Sequence, residues 1–169
     1  MPDKELIAAA MPLLDLCIKK KLTLATAESC TGGLLTATLT EIAGSSRVVD
    51  RGYVTYSNES KQQIGVALAT LERYGAVSRE TAEAMAKGAL TNASVDLTVA
   101  ITGIAGPGGG TPEKPVGLVH FAAAAVRSGK IVHHEHRFGD IGRAQVRRQS
   151  VLQAIAMLWE LAESEPTTQ

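Results

Sequence analysis

A buried strand that must turn directly into a helix leaves a chain few ways to fold, and Thr26–Gly33 (TAESCTGG) marks such a place. The short apolar run Leu22–Ala27 reads as a buried strand, and Leu34–Ala43 carries apolar residues at helical spacing. Between them stand a serine, a thiol and two glycines. Unpaired N–H groups converge at such a turn, and the helix dipole favours negative charge there. Two chemistries fit. The turn can cradle a phosphate or carboxylate, or it can present Ser29 as a nucleophile beside backbone donors for an oxyanion. A plain βα turn that needs glycine for its geometry fits the same residues.

The rest of the chain alternates in the same way. Asp3 can cap a helix through Leu6, Ala10, Leu13, Leu14, Cys17 and Ile18, with a kink or restart expected at Pro12. Arg47–Tyr56 reads as a strand, followed by a helix start with Ser57 or Asn58 as cap. Short helical pieces over Ala67–Tyr74 precede a clearer helix capped by Ser78. Leu97–Ile101 reads as a central strand, and the glycine-rich loop Thr102–Pro112 follows it. Gly117–Val126 and Lys130–Phe138 read as strands around a Ser128-Gly129 turn. Asp140 is expected to open a last helix with Val151, Leu152, Ile155, Leu158, Trp159 and Ala162 inward, ending in a frayed tail from Glu163 to Gln169.

This order predicts one α/β domain over 1–169, three-layered α/β/α, with a mixed, mostly parallel central sheet. Ligands of such sheets gather beyond the carboxyl ends of strands. The Ser29 turn, Tyr56–Lys61 and the Thr102 loop all follow strands, so they are expected to share one edge.

Net charge is zero across 169 residues, with no basic block, which argues against nucleic acid as a partner. No apolar run has the length of a membrane helix, and the amino end lacks signal-peptide form. Cys17 and Cys30 form neither a metal-type pair nor a disulfide scaffold. These features predict a reduced, cytoplasmic, soluble protein.

Serine needs a base. His120, His133, His134 and His136 all lie on predicted strands and read as exposed residues; His134 and His136 share a face but lack a third metal ligand. Lys61 can act as base if burial lowers its pKa, with Tyr56 as a proton relay, although a lone lysine ordinarily reads as a surface residue. Glu28 can orient Ser29 or cap the next helix. Cys30 is a rival nucleophile whose pKa a helix start would lower, or else a small buried residue. Arg143 and Arg147, four apart, share a helix face and can grip a phosphate or simply face solvent.

Taken together, Thr26–Gly33 (TAESCTGG), Gly52–Lys61 (GYVTYSNESK), Gly75–Ser78 (GAVS), Thr102–Gly110 (TGIAGPGGG) and Lys114–Gly117 (KPVG) resemble the CinA carboxy-terminal domain family. The resemblance covers about Leu22 to Ala162. Active members of that family are nicotinamide-nucleotide amidohydrolases. The resemblance implies a three-layer α/β/α homodimer that hydrolyses nicotinamide mononucleotide to nicotinic acid mononucleotide and ammonia, in pyridine-nucleotide salvage, with no cofactor. It implies Ser29 as nucleophile with Tyr56 and Lys61 as activating partners. Around the substrate it places Glu28, Cys30, Thr31, Gly32 and Gly33 of the turn, Thr102, Gly103, Gly106 and Gly108 of the loop, and Arg143 or Arg147. The chain is similar to the stand-alone form rather than to larger members with an amino-terminal molybdopterin-binding-like domain. Gly139-Asp140-Ile141-Gly142-Arg143 departs from the usual spacing, so the phosphate-binding arginine is open. A serine hydrolase of another small phosphorylated amide, and a non-catalytic nucleotide-binding or dimerisation module, are the alternatives.

Overall fold

The computed structural model describes residues 2–167. Helix α1 (Lys4–Lys20) leads into β1 (Leu24–Glu28), α2 (Leu34–Thr40), a single 3₁₀ turn (Ser45–Arg47) and β2 (Val49–Val54). Helices α3 (Asn58–Gln63), α4 (Leu68–Tyr74) and α5 (Arg79–Ala93) come next, then β3 (Leu97–Gly103), β4 (Leu118–Ala125), β5 (Ile131–Arg137) and α6 (Arg143–Ser164). The five strands form one sheet in the order β2-β1-β3-β4-β5. β1 pairs in parallel with β2 and β3, whereas β4 opposes both β3 and β5. Four strands therefore run one way and β4 alone runs back. The sheet is mixed and mostly parallel between two helical layers.

Strand alternation explains why the two layers differ. Leu97, Val99 and Ile101 of β3, with Val119 and Phe121 of β4, pack toward α1, α2 and α6. The opposite face is small: Ala27, Ala100, Ala122 and Ala124 meet Met85, Ala86 and Ala89 of α5. Alanine lets α5 lie close, and Thr98 Oγ1 donates to the Ala86 carbonyl at 2.8 Å. Burial of a large aliphatic side chain contributes roughly 1.5–3 kcal/mol, so the leucine-rich layer supplies most of the core.

Several expectations shift. α1 runs unbroken through Pro12, whose position is exposed, so water can serve the Ala8 carbonyl that lacks a donor. The buried stripe Leu6, Ala10, Leu13, Leu14 and Cys17 on both sides holds the helix together. α6 starts at Arg143, not Asp140, because Gly139 and Gly142 both take left-handed φ, +80° and +92°. Trp159 is 40 % exposed, one step round the helix from buried Leu158. The tail is tied down: Lys20 Nζ donates to the carbonyls of Ala162 (2.9 Å), Glu163 (2.7 Å) and Glu165 (2.8 Å). Glu165 is buried and accepts from Ser128, while residues 168 and 169 lie outside the described region. No helix among the described residues is long and apolar enough to cross a membrane.

Candidate active site

The ends of β1, β2 and β3 do fall on one edge. Each strand extends its pairing by a residue as it leaves the sheet. The Ser29 N–H donates to the Ile101 carbonyl at 3.0 Å, and the Thr55 N–H to the Glu28 carbonyl at 2.8 Å. Beyond β1 the chain turns through Gly32 (φ +59°) and Gly33 (φ +95°), the latter being the N-cap of α2. The left-handed region is open to glycine at little cost, which is why two glycines stand there.

Glu28 secures this turn from behind. It is fully buried, and its two carboxylate oxygens accept from the N–H groups of Leu35 (2.9 Å) and Thr36 (3.0 Å) and from Thr36 Oγ1 (2.9 Å). Thr26 Oγ1 lies 2.6 Å from Thr36 Oγ1 and completes the network. Gly52 of β2 makes room for it, since a Cβ there would come within 2.2 Å of Thr36 Oγ1. Glu28 thus caps α2 from the preceding strand and neither orients Ser29 nor faces the cleft.

After β2, Ser57 and Ser60 form a reciprocal capping box that starts α3. Its last turn sends Lys61 inward, and that side chain is only 1 % exposed. Lys61 Nζ lies 3.1 Å from Ser29 Oγ and donates to the Thr55 carbonyl at 2.6 Å. No carboxylate among the described residues pairs with it, so burial pushes its pKa below the ordinary lysine value. The surface reading of this lysine fails because α3 and the strand ends close over it.

Tyr56 does not stand between serine and lysine, which meet directly. It is 59 % exposed, and its hydroxyl accepts from Arg143 Nη2 at 2.7 Å. Arg143 Nη1 donates to the Gly106 carbonyl at 2.8 Å, so one guanidinium bridges the segments that follow β2 and β3. Arg147 takes a different course. Its Nη2 donates to the Thr31 carbonyl at 2.9 Å, which braces the Ser29 turn rather than facing the cleft. The cleft itself has a volume of about 280 Å³. Ser29, Cys30, Tyr56, Lys61 and Arg143 line it with Gly103, Gly106 and Gly108.

Other expected contacts are differently employed. Thr31 is buried, and its hydroxyl has no partner among the described residues. Thr102 does line the cleft, as expected, and its Oγ1 donates to the Ala76 carbonyl at 2.7 Å, which pins the Ala76-Val77 wall. Ala76 and Val77 belong to the GAVS block, which was the only sequence signal for that wall. Cys30 is a weak nucleophile here: burial pushes its thiol up to about 11, outweighing the helix start. The histidines are more enclosed than expected. His120 Nδ1 lies 2.9 Å from His133 Nε2, His134 meets Gln153, and His136 packs between Phe121 and Phe138. None lines the cleft, and no group of three metal-ligating side chains occurs among the described residues.

Fold and site define a three-layer α/β/α domain with a buried serine–lysine pair where a strand turns into a helix. The CinA C-terminal domain model matches residues 7–162, and the chain belongs to that family. The chain is 47 % identical over 161 residues to the nicotinamide-nucleotide amidohydrolase PncC of Escherichia coli (strain K12), covering 95 % of this chain and 96 % of that protein. A CinA-like protein of Leptospira borgpetersenii (serovar Hardjo-bovis, strain L550) is 51 % identical over 122 residues, which is 72 % of this chain and 29 % of that longer protein. The competence/damage inducible protein CihA from Agrobacterium tumefaciens superimposes with a TM-score of 0.92 at 51 % identity, over 95 % of this chain and 98 % of that one.

Proposed function

We propose that this protein is a serine amidohydrolase that converts nicotinamide mononucleotide to nicotinic acid mononucleotide and ammonia. One observation carries the reading: Ser29 Oγ and Lys61 Nζ are 3.1 Å apart in a place where, among the described residues, the amine has no counter-charge. Burial lowers the Lys61 pKa and so favours the neutral amine that can accept the serine proton. The likeness to PncC supports the substrate.

In this reading the Ser29 O–H gives its proton to Lys61 Nζ while Oγ bonds to the carboxamide carbon. The carbonyl π electrons move to oxygen, and N–H groups of the turn that begins at Cys30 stabilise the oxyanion. Gly32 is spent, because its N–H already donates to the Ser29 carbonyl at 3.0 Å. Collapse of the intermediate breaks the carbon–nitrogen bond, and Lys61 returns the proton so that ammonia departs. Water then attacks the Ser29 ester as Lys61 takes its proton; the carbon–Oγ bond breaks, the acid leaves, and Lys61 returns the proton to Ser29 Oγ. Arg143 is the phosphate anchor of choice because it lines the cleft, whereas Arg147 does not. Tyr56 holds Arg143 in place. Neither cofactor nor metal enters any step, and the active form is a homodimer.

The test is conversion of nicotinamide mononucleotide, followed by chromatography, against nicotinamide riboside as the phosphate-free twin. Acid product from the nucleotide, with a much poorer riboside, supports the reading. A riboside that reacts equally well removes the phosphate from it, and no acid product from either overturns it.

A further inference from the structure

Beside the Ser29 turn, and sharing no lining residue with the cleft, the first turns of α1 and α6 and one face of α2 enclose a second cavity of about 370 Å³. Its α2 wall is the stripe Leu34, Ala37, Thr38 and Glu41, which faces Leu6 and Ile7 of α1. At helical rise, that stripe extends about 10 Å. The cavity is therefore a groove with an apolar middle and two distinct ends.

Arg147 marks one end. It lines the cavity, and its bond to the Thr31 carbonyl places it by the start of α2. Its neighbour Arg148 is paired with Asp3, which also lines the cavity, and with Glu5, so that cluster offers no free cation and carries one excess negative charge. Arg147 has no carboxylate within ion-pair distance among the described residues; its Nε is buried without an acceptor, and its Nη1 makes no bond to the described protein. A half-buried guanidinium whose donors are mostly unused favours an anion. Glu41 lies at the opposite end of the stripe, about a Debye length away, so it weakly opposes a charge bound at Arg147.

We propose that this groove binds a small apolar monocarboxylate, its head on the Arg147 guanidinium and its hydrocarbon along Leu6, Ile7, Leu34 and Ala37. Charge complementarity at one end and apolar walls along the middle together specify that class. A dianion would bring a second charge into the apolar middle or toward Glu41, and a neutral apolar molecule would leave Arg147 unpaired. Occupancy also reaches the turn, since the guanidinium that receives the head holds a carbonyl two residues from Ser29. Binding is expected to slow amide turnover, and that consequence alone rests on the serine–lysine reading.

The test is titration of hexanoate into nitrogen-15-labelled protein, with 1-hexanol as the neutral twin. Saturable shifts are expected at the amides of Leu6, Ile7, Ala37 and Ala144, without shifts at Gly106 and Gly108. Hexanol, and hexanoate with Arg147→Met, are expected to bind roughly tenfold more weakly or worse, the value of a charge-assisted bond. Ala37→Leu narrows the groove without touching Arg147; it should also weaken hexanoate while leaving turnover in its absence unchanged. Absence of saturable shifts, shifts centred on the cleft, hexanol binding as tightly as hexanoate, or unaltered hexanoate binding to Ala37→Leu would each overturn the proposal. The readout is binding, so it stands apart from whether the substrate assignment holds.

Discussion

Lys61→Met separates the catalytic work of the buried amine from its cost to the fold. Methionine keeps most of the length, one heavy atom short, and removes the amine. The Thr55 carbonyl loses its donor, which costs roughly 1–2 kcal/mol, while removing an unpaired buried amine offsets that. Burial holds the Lys61 pKa below 10.5, the ordinary lysine value. Each unit of that depression is worth about 1.4 kcal/mol against the charged folded state. The sign follows from proton counting. Between the folded pKa and 10.5 the unfolded chain binds more protons at this site, so wild-type stability gains from this group as pH rises through that window. Below the folded pKa the cost is present in full. The methionine variant lacks this component, so urea unfolding at about pH 7 and about pH 10 should show a smaller gain than wild type between the two values. The pH difference isolates the amine, because the lost hydrogen bond and the altered packing affect both values alike. Turnover should fall by roughly 10²–10⁴, the range for a general base. A kcat within tenfold of wild type, or parallel stabilities across that window, would refute the reasoning.

Three further outcomes follow from the same geometry. Arg143→Met should raise KM for the nucleotide by roughly tenfold or more with a smaller effect on kcat, and Tyr56→Phe should act in the same direction more mildly. An equal effect of Arg143→Met on the riboside, measured by steady-state kinetics, would contradict its part in holding phosphate. Gly52→Ala should destabilise the fold by about 2 kcal/mol and lower Tm by roughly 4–8 °C, because the new methyl meets Thr36 Oγ1 at 2.2 Å in a network that cannot easily yield. An unchanged Tm in calorimetry would mean that the Glu28–Thr36–Thr26 network is slack.

The residues displayed the frame of this protein and less of its detail. Hydrophobic run lengths and helix caps located the strands along the chain, and strand–helix alternation brought the Ser29 turn, Lys61 and the Thr102 loop to one edge, while the order of the strands in the sheet came only with the structure. Burial of Lys61 was not legible, because lysine ordinarily stays at the surface and only the closing of α3 over the strand ends encloses it. The division of labour between Arg143 and Arg147 was also hidden. Four residues along a helix share a face, yet the roughly 6 Å between them carries one guanidinium to the cleft and the other beneath the turn. Tyr56 looked like a relay from proximity in sequence, but Arg143 claims its hydroxyl. Asp140 looked like a cap until the left-handed Gly142 delayed the helix, and Pro12 looked like a break until packing on both sides carried α1 through it.

The central claim is that amide hydrolysis begins at Ser29. Ammonia release from nicotinamide mononucleotide, measured side by side for wild type and Ser29→Ala, tests it most directly. The account predicts release by the wild type and loss of nearly all of it in a variant that still folds. Equal release by both proteins would contradict it, because the chemistry would then start elsewhere.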